Sequence, residues 1–420
     1  METQSSSRPQ STPRNIYVFG LTSFLNDTAS EMAYWVLPAF LASLGAGPGQ
    51  LGIIEGVAES VASFAKLFSG YITDKVSQRK PIVVAGYFVA NAVKPLLALV
   101  SSWWQILGIR FSDRLAKGVR GTARDVMVAE SVDKSTLGSA YGLIQSMDSA
   151  GAIAGPLLAL AVIGRFGMRG VFASAAIPGA LCVIVAWLGI REVRRKGTPA
   201  ERSPLAQLKN ELSPEASPRP KSDWLPKLPF GFYYVLAVVT LFSLGNSSDM
   251  FLVLRAGNIG IPASQAPLLG LVFNITYTLG SWPAGWFSDR FSRRGFSRRW
   301  IAAAGYLIFA AVYFVFGRAP STLAIWITMA VYGLYYALTQ PVLKALVVET
   351  VRPEVRGRAL GVYFFVTSVA TLAASLITGE LWKVYGAGVP FYCSAGLAAI
   401  AAVLLVIRPR SAVGKTALSS

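Results

Sequence analysis

The chain is 420 residues long, 53% hydrophobic and only 14% charged, with a mean hydropathy of +0.50; an ordinary water-soluble domain is excluded over most of its length. A formal charge of +18 would indicate nucleic acid in a soluble protein, but here the basic residues sit on alternate loops between apolar stretches, which is a membrane pattern and implies no nucleic-acid partner. With no histidine in the chain, any proton carrier must be Asp or Glu, or less easily Lys or Tyr.

Residues 1–14 are polar and lack an apolar core, so they read as a cytoplasmic tail rather than a cleaved signal. About twelve apolar runs follow, from Asn15 to Arg408, each near the roughly 20 helical residues that cross about 30 Å of hydrocarbon. Span one places Ser23, Asp27, Ser30, Glu31, Tyr34 and Pro38 on one helical face, and span two does the same with Glu55, Glu59, Lys66 and Gly70. The loop after span two, "GYITDKVSQRK" from Gly70, holds Asp74, Lys75, Arg79 and Lys80. Trp103 and Trp104, in the short outer loop "SSWW", belong to an interfacial aromatic belt. Residues 110–125, "RFSDRLAKGVRGTARD", carry Arg110, Asp113, Arg114, Lys117, Arg120, Arg124 and Asp125 within roughly 140° of arc, so this face must meet protein or water rather than lipid. Span five aligns Tyr141, Gln145, Asp148 and Gly155, and its "GAIAGP" has Gly151 and Gly155 for close helix approach and Pro156 for a bend. Cys182 and Cys393 each lie in an apolar span and supply neither a disulfide framework nor a metal site.

Residues 192–227 are rich in Pro, Ser and charge, too polar to span, and divide the chain into bundles of six spans at 15–191 and 228–408, with a second tail at 409–420. The halves resemble each other. "SEMAYWVLPAF" at Ser30 matches "SDMFLVLRAG" at Ser248, and the Gly70 loop returns as "GWFSDRFSRRG" at Gly285, which indicates a duplication in one orientation. The second half offers fewer polar positions: Asp249, Asn274, Tyr277, Gln340, Lys344 and Glu349. Basic residues follow spans two, six, eight and ten, so both termini are expected in the cytoplasm.

GxxxD with its basic cluster, the copy after span eight, Arg114 and Gly118 in "RLAKG", and GxxxGP together resemble the signature motifs of the major facilitator superfamily, the last being similar to the antiporter motif of its drug:proton antiporter branch. Ser77 and Ser292 stand where the loop motif usually has a second glycine, and Gln78 replaces a usual basic residue. The resemblance covers essentially the whole chain. It implies an all-α integral membrane fold of twelve transmembrane helices in two pseudo-symmetric six-helix bundles, working by alternating access as a monomer in a bacterial inner membrane. It further implies that Arg114 takes part in proton coupling, and that the loops form a cytoplasmic latch, closed when the cavity opens outward.

The expected site follows from both readings. Asp27, Glu31 and Asp148 are the leading proton carriers, with Arg114 as their changing partner. Tyr34, Glu55, Glu59, Arg110, Asp113, Lys117, Tyr141, Gln145, Asp249, Asn274, Tyr277, Gln340 and Lys344 are candidate substrate contacts. Gly70, Asp74, Arg79, Gly151, Gly155, Pro156, Gly285, Asp289 and Arg293 are candidate gating residues; Asp74 and Asp289 are placed to cap neighbouring helices, and Arg79 or Arg293 to pair with acids. Asp27, Glu31, Glu55 and Glu59 could instead be fixed partners of Arg110, Arg114, Lys66 or Lys94, and Arg120, Arg124 and Asp125 could simply snorkel or pair near the loop. No cofactor or metal and no enzymatic reaction are expected, since no nucleophile–base pair or phosphate loop appears. The expected function is proton-coupled export of a small organic molecule. The surplus of membrane cations keeps open a proton symporter or exchanger of a small anionic metabolite, and a transporter-like receptor is the remote alternative.

Overall fold

The computed structural model describes residues 13–34, 36–45, 48–193, 228–261, 266–318 and 321–407; the tails and nearly all of the linker 192–227 lie outside them, as do the side chains of Pro38 and Glu55. Every regular element among the described residues is helical, and they make twelve spans. Span one is Arg14–Tyr34 with Leu37–Ser43, span two Pro48–Lys75, span three Lys80–Val93 continued by the tighter turn Lys94–Leu99, and span four Trp103–Ser131. Leu137–Ser174 holds span five and the start of span six, kinked at Gly167 where φ is 65°, a conformation that costs glycine little; span six ends in Ala176–Gly189. The second half repeats the plan with span seven in two pieces, Phe230–Ser243 and Met250–Asn258, then Ala266–Arg293, Arg299–Arg318, Thr322–Glu349, Arg356–Tyr385 and Val389–Val406 as spans eight to twelve.

Local sequence sets these limits. Ser102 and Gln105 form a capping box at the start of span four, and the Ser321 hydroxyl accepts from the Ala324 amide at 3.2 Å to start span ten. Span three begins where Glu192, at the end of the first half, accepts from the amides of Arg79 and Lys80 at 3.0 and 2.9 Å. Six helical segments among those described are long and apolar enough to cross a membrane by composition alone, and they hold spans three, five, six and nine to twelve. The rest fall short because a polar stripe interrupts them, as in span four, or because they are broken, as in span seven.

Lipid is as apolar as leucine, so close backbone approach rather than hydrophobic exclusion holds such helices together. Gly118 is an instance: a Cβ there would stand 2.5 Å from the Ala65 Cβ and 2.8 Å from the Ala62 carbonyl oxygen, so spans two and four touch almost backbone to backbone. In the second half the core is aromatic instead. Phe242 stacks on Tyr306 and Phe309 on Tyr313, both with ring centroids 3.9 Å apart.

Candidate functional site

The two halves are tied together at the end of the bundle that bears the basic loops. Asp74, at the last turn of span two, accepts from the amides of Gly357 and Arg358, both at 2.9 Å, and from Arg358 Nε at 3.1 Å. It therefore caps span eleven of the other half. Asp289, at the equivalent place in span eight, accepts from the amides of Gly138 and Ser139 at 2.9 and 2.7 Å and from the Ser139 hydroxyl, and so caps span five. Both carboxylates sit on the positive end of a helix, where each charge-assisted bond contributes about 1.5–3 kcal/mol. Glycine makes the approach possible. A Cβ on Gly70 would overlap the Gly357 carbonyl, and one on Gly285 would overlap the Gly138 carbonyl oxygen and stand 2.6 Å from its carbon.

Arg79 donates from Nε to the Thr73 carbonyl at 2.9 Å and pairs with Glu130 at the end of span four. Its counterpart is not Arg293, which the structure leaves exposed on the last turn of span eight. The counterpart is Arg298, 1% exposed, which meets Asp289 at 2.6 Å, Glu349 of span ten at 2.9 Å and the Lys134 carbonyl of the first half at 2.7 Å. Arg79 and Arg298 each stand immediately before the next helix, whereas Arg293 belongs to the previous one; the longer connection in the second half moves the arginine down the chain.

Within the first half, the GxxxGP stretch seats span five on span one. A Cβ on Gly151 would stand 2.5 Å from the Phe24 carbonyl oxygen and 3.1 Å from the Asp27 Cβ, and one on Gly155 2.7 Å from the Glu31 Cβ. Pro156 lies inside the same helix. This contact brings Asp27 and Asp148 within side-chain hydrogen-bonding reach of each other; Asn26 donates to Asp27 at 2.9 Å and Gln145 to Asp148 at 3.4 Å. Arg124 of span four lies in electrostatic reach of Asp148 and donates to Ser23 of span one at 2.8 Å.

The charged stripe of span four divides into two parts. Arg110, Asp113 and Arg120 are buried against neighbouring helices: Lys94 of span three lies 3.6 Å from Asp113, Arg110 lies 4.0 Å from Asp113 with its guanidinium over the Tyr34 ring, and Arg120 stacks over Tyr87 at 4.5 Å. Asp113 is thus a partner of Lys94 in a polar core that includes Asn26 and Asn91, not a substrate contact. Arg120 is an interior residue rather than a snorkelling one, because span three covers that side of the helix. Arg114 lies 3.7 Å from Glu59 of span two, Lys117 is exposed, and Arg124 and Asp125 pair at 3.1 Å. Asp125 also reaches across to Lys344 of span ten, 3.7 Å away. Tyr141 is 2% exposed and donates to the Asp125 carbonyl at 2.7 Å, so it belongs to the core and not to a solute path.

A cavity of about 710 Å³ opens between the halves, lined from spans two, seven, nine, ten and eleven. Of the expected contacts, Glu59, Gln340 and Lys344 line it, together with Lys66. Tyr34, Arg110, Gln145, Asp249, Asn274 and Tyr277 do not. Asp249 instead accepts from the Tyr332 hydroxyl at 2.7 Å, and Tyr277 packs on Phe273 and Tyr336. The lining that sequence reasoning missed is amide, hydroxyl and aromatic: Asn246, Tyr306, Tyr335, Thr339, Tyr363 and Phe364. A search led by charge passes over these residues, although "YGLYYALTQP" at 332–341 carries the signal in its clustered tyrosines.

Twelve helices in two duplicated bundles, latched at one end and hollow between, define a polytopic membrane transporter. The chain belongs to the major facilitator superfamily, whose model matches residues 19–255 and 235–419. An uncharacterised MFS-type transporter of Methanocaldococcus jannaschii is 31% identical over 401 residues, 94% of each chain. The multidrug resistance protein MdtG of Dickeya zeae is 29% identical over 206 residues, 47% of this chain and 50% of that protein. The fold is also that of the human organic anion transporter MFSD10, with a TM-score of 0.74 at 17% identity over 93% of this chain and 99% of the other. The E. coli fucose:proton symporter FucP gives 0.69 at 14% identity, covering 94% and 98%.

Proposed function

We propose that the protein is a proton-coupled secondary active transporter of a bacterial cytoplasmic membrane, with both termini inside, that exports small organic molecules by rocking its two halves. The observation that carries this reading is the Asp27–Asp148 pair. Two carboxylates in hydrogen-bonding reach inside a membrane bundle repel when both are ionised, and they are relieved by sharing a proton. Arg124 stands by to compensate the charge when the proton leaves. Glu31, one turn along span one and against Gly155, extends the same line.

Export is supported by the GxxxGP contact that builds the pair and by the partial likeness to MdtG. The latches described above close the basic end, which is the cytoplasmic end by charge, so this is the conformation in which protons reach the pair from outside. Reorientation would break both caps, expose the site inward, release the proton and load the solute. The test is flux by purified protein in vesicles under an imposed pH gradient, with Asp27→Asn, Glu31→Gln and Asp148→Asn made singly. At least one must abolish gradient-driven flux; full activity in all three would sink the proposal.

A further inference from the structure

We infer that the cavity binds an organic monoanion, its acidic group held between Lys66 and Lys344 and its apolar or aromatic body against Phe364. This rests on the reading of the chain as a transporter and names the class of its cargo. Lys66 comes from span two of the first half and Lys344 from span ten of the second, and both line the cavity. Their ammonium groups address one ring: Lys66 Nζ lies 5.5 Å and Lys344 Nζ 5.9 Å from the Phe364 centroid. One aromatic ring flanked by ammoniums from opposite halves is a site with a polar pole and an apolar wall.

The charge balance fixes the sign of the ligand. The charged groups acting on Lys66 are Lys117, Glu59, Arg114 and Lys344, three cations against one acid. That acid is largely exposed and already 3.7 Å from Arg114. The acids beside the two ammoniums, Glu59 and Asp125, are shared with Arg114 and Arg124, so a cationic solute would meet a surplus of positive charge, whereas a carboxylate or similar monoanion would bridge the ammoniums. The volume of about 710 Å³ suits a drug-sized molecule, and the hydroxyls of Tyr306, Thr339 and Tyr363 around it can orient polar substituents.

Lys344 has a second partner, which links cargo to conformation. It lies 3.7 Å from Asp125 of span four, an ion pair that ties the halves together. An anion that takes Lys344 competes with Asp125 for it, so loading weakens one tie between the halves, and an empty site restores it.

Binding of radiolabelled benzoate to the full-length protein in lipid-free detergent tests this. The expected result is saturable binding displaced by naphthoate but not by benzyltrimethylammonium, weakened about tenfold or more by Lys66→Gln and by Lys344→Gln, the scale of a charge-assisted contact. Lys383→Gln, on the far end of span eleven, should bind as wild type, and Asp125→Asn should bind more tightly. No saturable binding by wild type, equal displacement by the quaternary ammonium, or unchanged binding in both lysine variants overturns the proposal. Displacement of benzoate by phosphatidylglycerol would reassign the site to a lipid headgroup and overturn it as a solute site. The wild-type charge preference decides the matter even if a variant fails to fold. Gradient-driven flux of a cationic solute without benzoate binding would refute the anion site and leave the transporter reading; benzoate binding without gradient-driven flux would do the reverse.

Discussion

Gly285→Ala should open the basic end of the protein. The added methyl would stand 2.6 Å from the Gly138 carbonyl carbon and closer still to its oxygen, whereas carbon atoms pack at about 3.5–4.0 Å. Because both groups are helix backbone, spans five and eight must separate by about 1 Å. That shift stretches the amide bonds of Gly138 and Ser139 to Asp289 from 2.9 and 2.7 Å past the limit of a hydrogen bond. Two charge-assisted bonds are lost, and part of that is regained from entering water, leaving about 2–4 kcal/mol against the closed state. The ratio of closed to open molecules then falls about 30- to 700-fold. Double electron–electron resonance between labels at Asp133→Cys and Arg294→Cys, in a background carrying Cys393→Ser because Cys393 is exposed, would report the change as a longer distance population. Gly121→Ala is the matched control, since a Cβ there meets nothing within 4 Å. Identical distance distributions for Gly285→Ala and wild type would refute the claim that this contact holds the halves closed.

Three further outcomes follow from the geometry. Arg298→Ala, which strips a buried guanidinium from Asp289 and Glu349, should cost about 3–5 kcal/mol in thermal unfolding, while Arg293→Ala on the exposed turn should stay within about 0.5 kcal/mol. Gly155→Ala should destabilise by about 1–3 kcal/mol through overpacking against Glu31 and Thr28, measured in the same assay, and should reduce gradient-driven flux because it parts Asp148 from Asp27. Tyr332→Phe removes the 2.7 Å donor to Asp249 and should cost about 1–3 kcal/mol; an unchanged melting temperature would show that water replaces it.

The fold was legible because its signals are long: apolar runs of membrane length, a polar linker, and a loop motif that appears twice. The duplication marked Asp74 and Asp289 as helix caps, and the structure supplies the helices they cap, spans eleven and five. Arg298 was not legible, because the second copy inserts residues between Asp289 and the arginine that matters, and spacing carried over from Asp74 and Arg79 ends on Arg293. The helical wheel correctly gathered seven charges on one side of span four but could not see which neighbours cover it. Span three takes Asp113 and Arg120 and span one takes Arg110 at Tyr34, leaving Arg114, Lys117 and Arg124 toward spans one and two and the space between the halves. The cavity itself was the least visible part. Its walls are largely tyrosine, threonine, serine and apolar residues, whose cost at depth is too small to stand out in a sequence, and only Glu59, Lys66 and Lys344 among its lining mark it by charge.

The latches have a consequence beyond gating. Asp74 of the first half caps a helix of the second, and Asp289 of the second caps a helix of the first, with Gly70 against Gly357 and Gly285 against Gly138 in the same reciprocal sense. Position meets partner position and is met in return, which is the rule of an isologous two-fold dimer written within one polypeptide. Each half is therefore an incomplete protein whose missing helix caps reside in its sibling. A duplicated and fused ancestor of six helices would have met that need by pairing with its own copy.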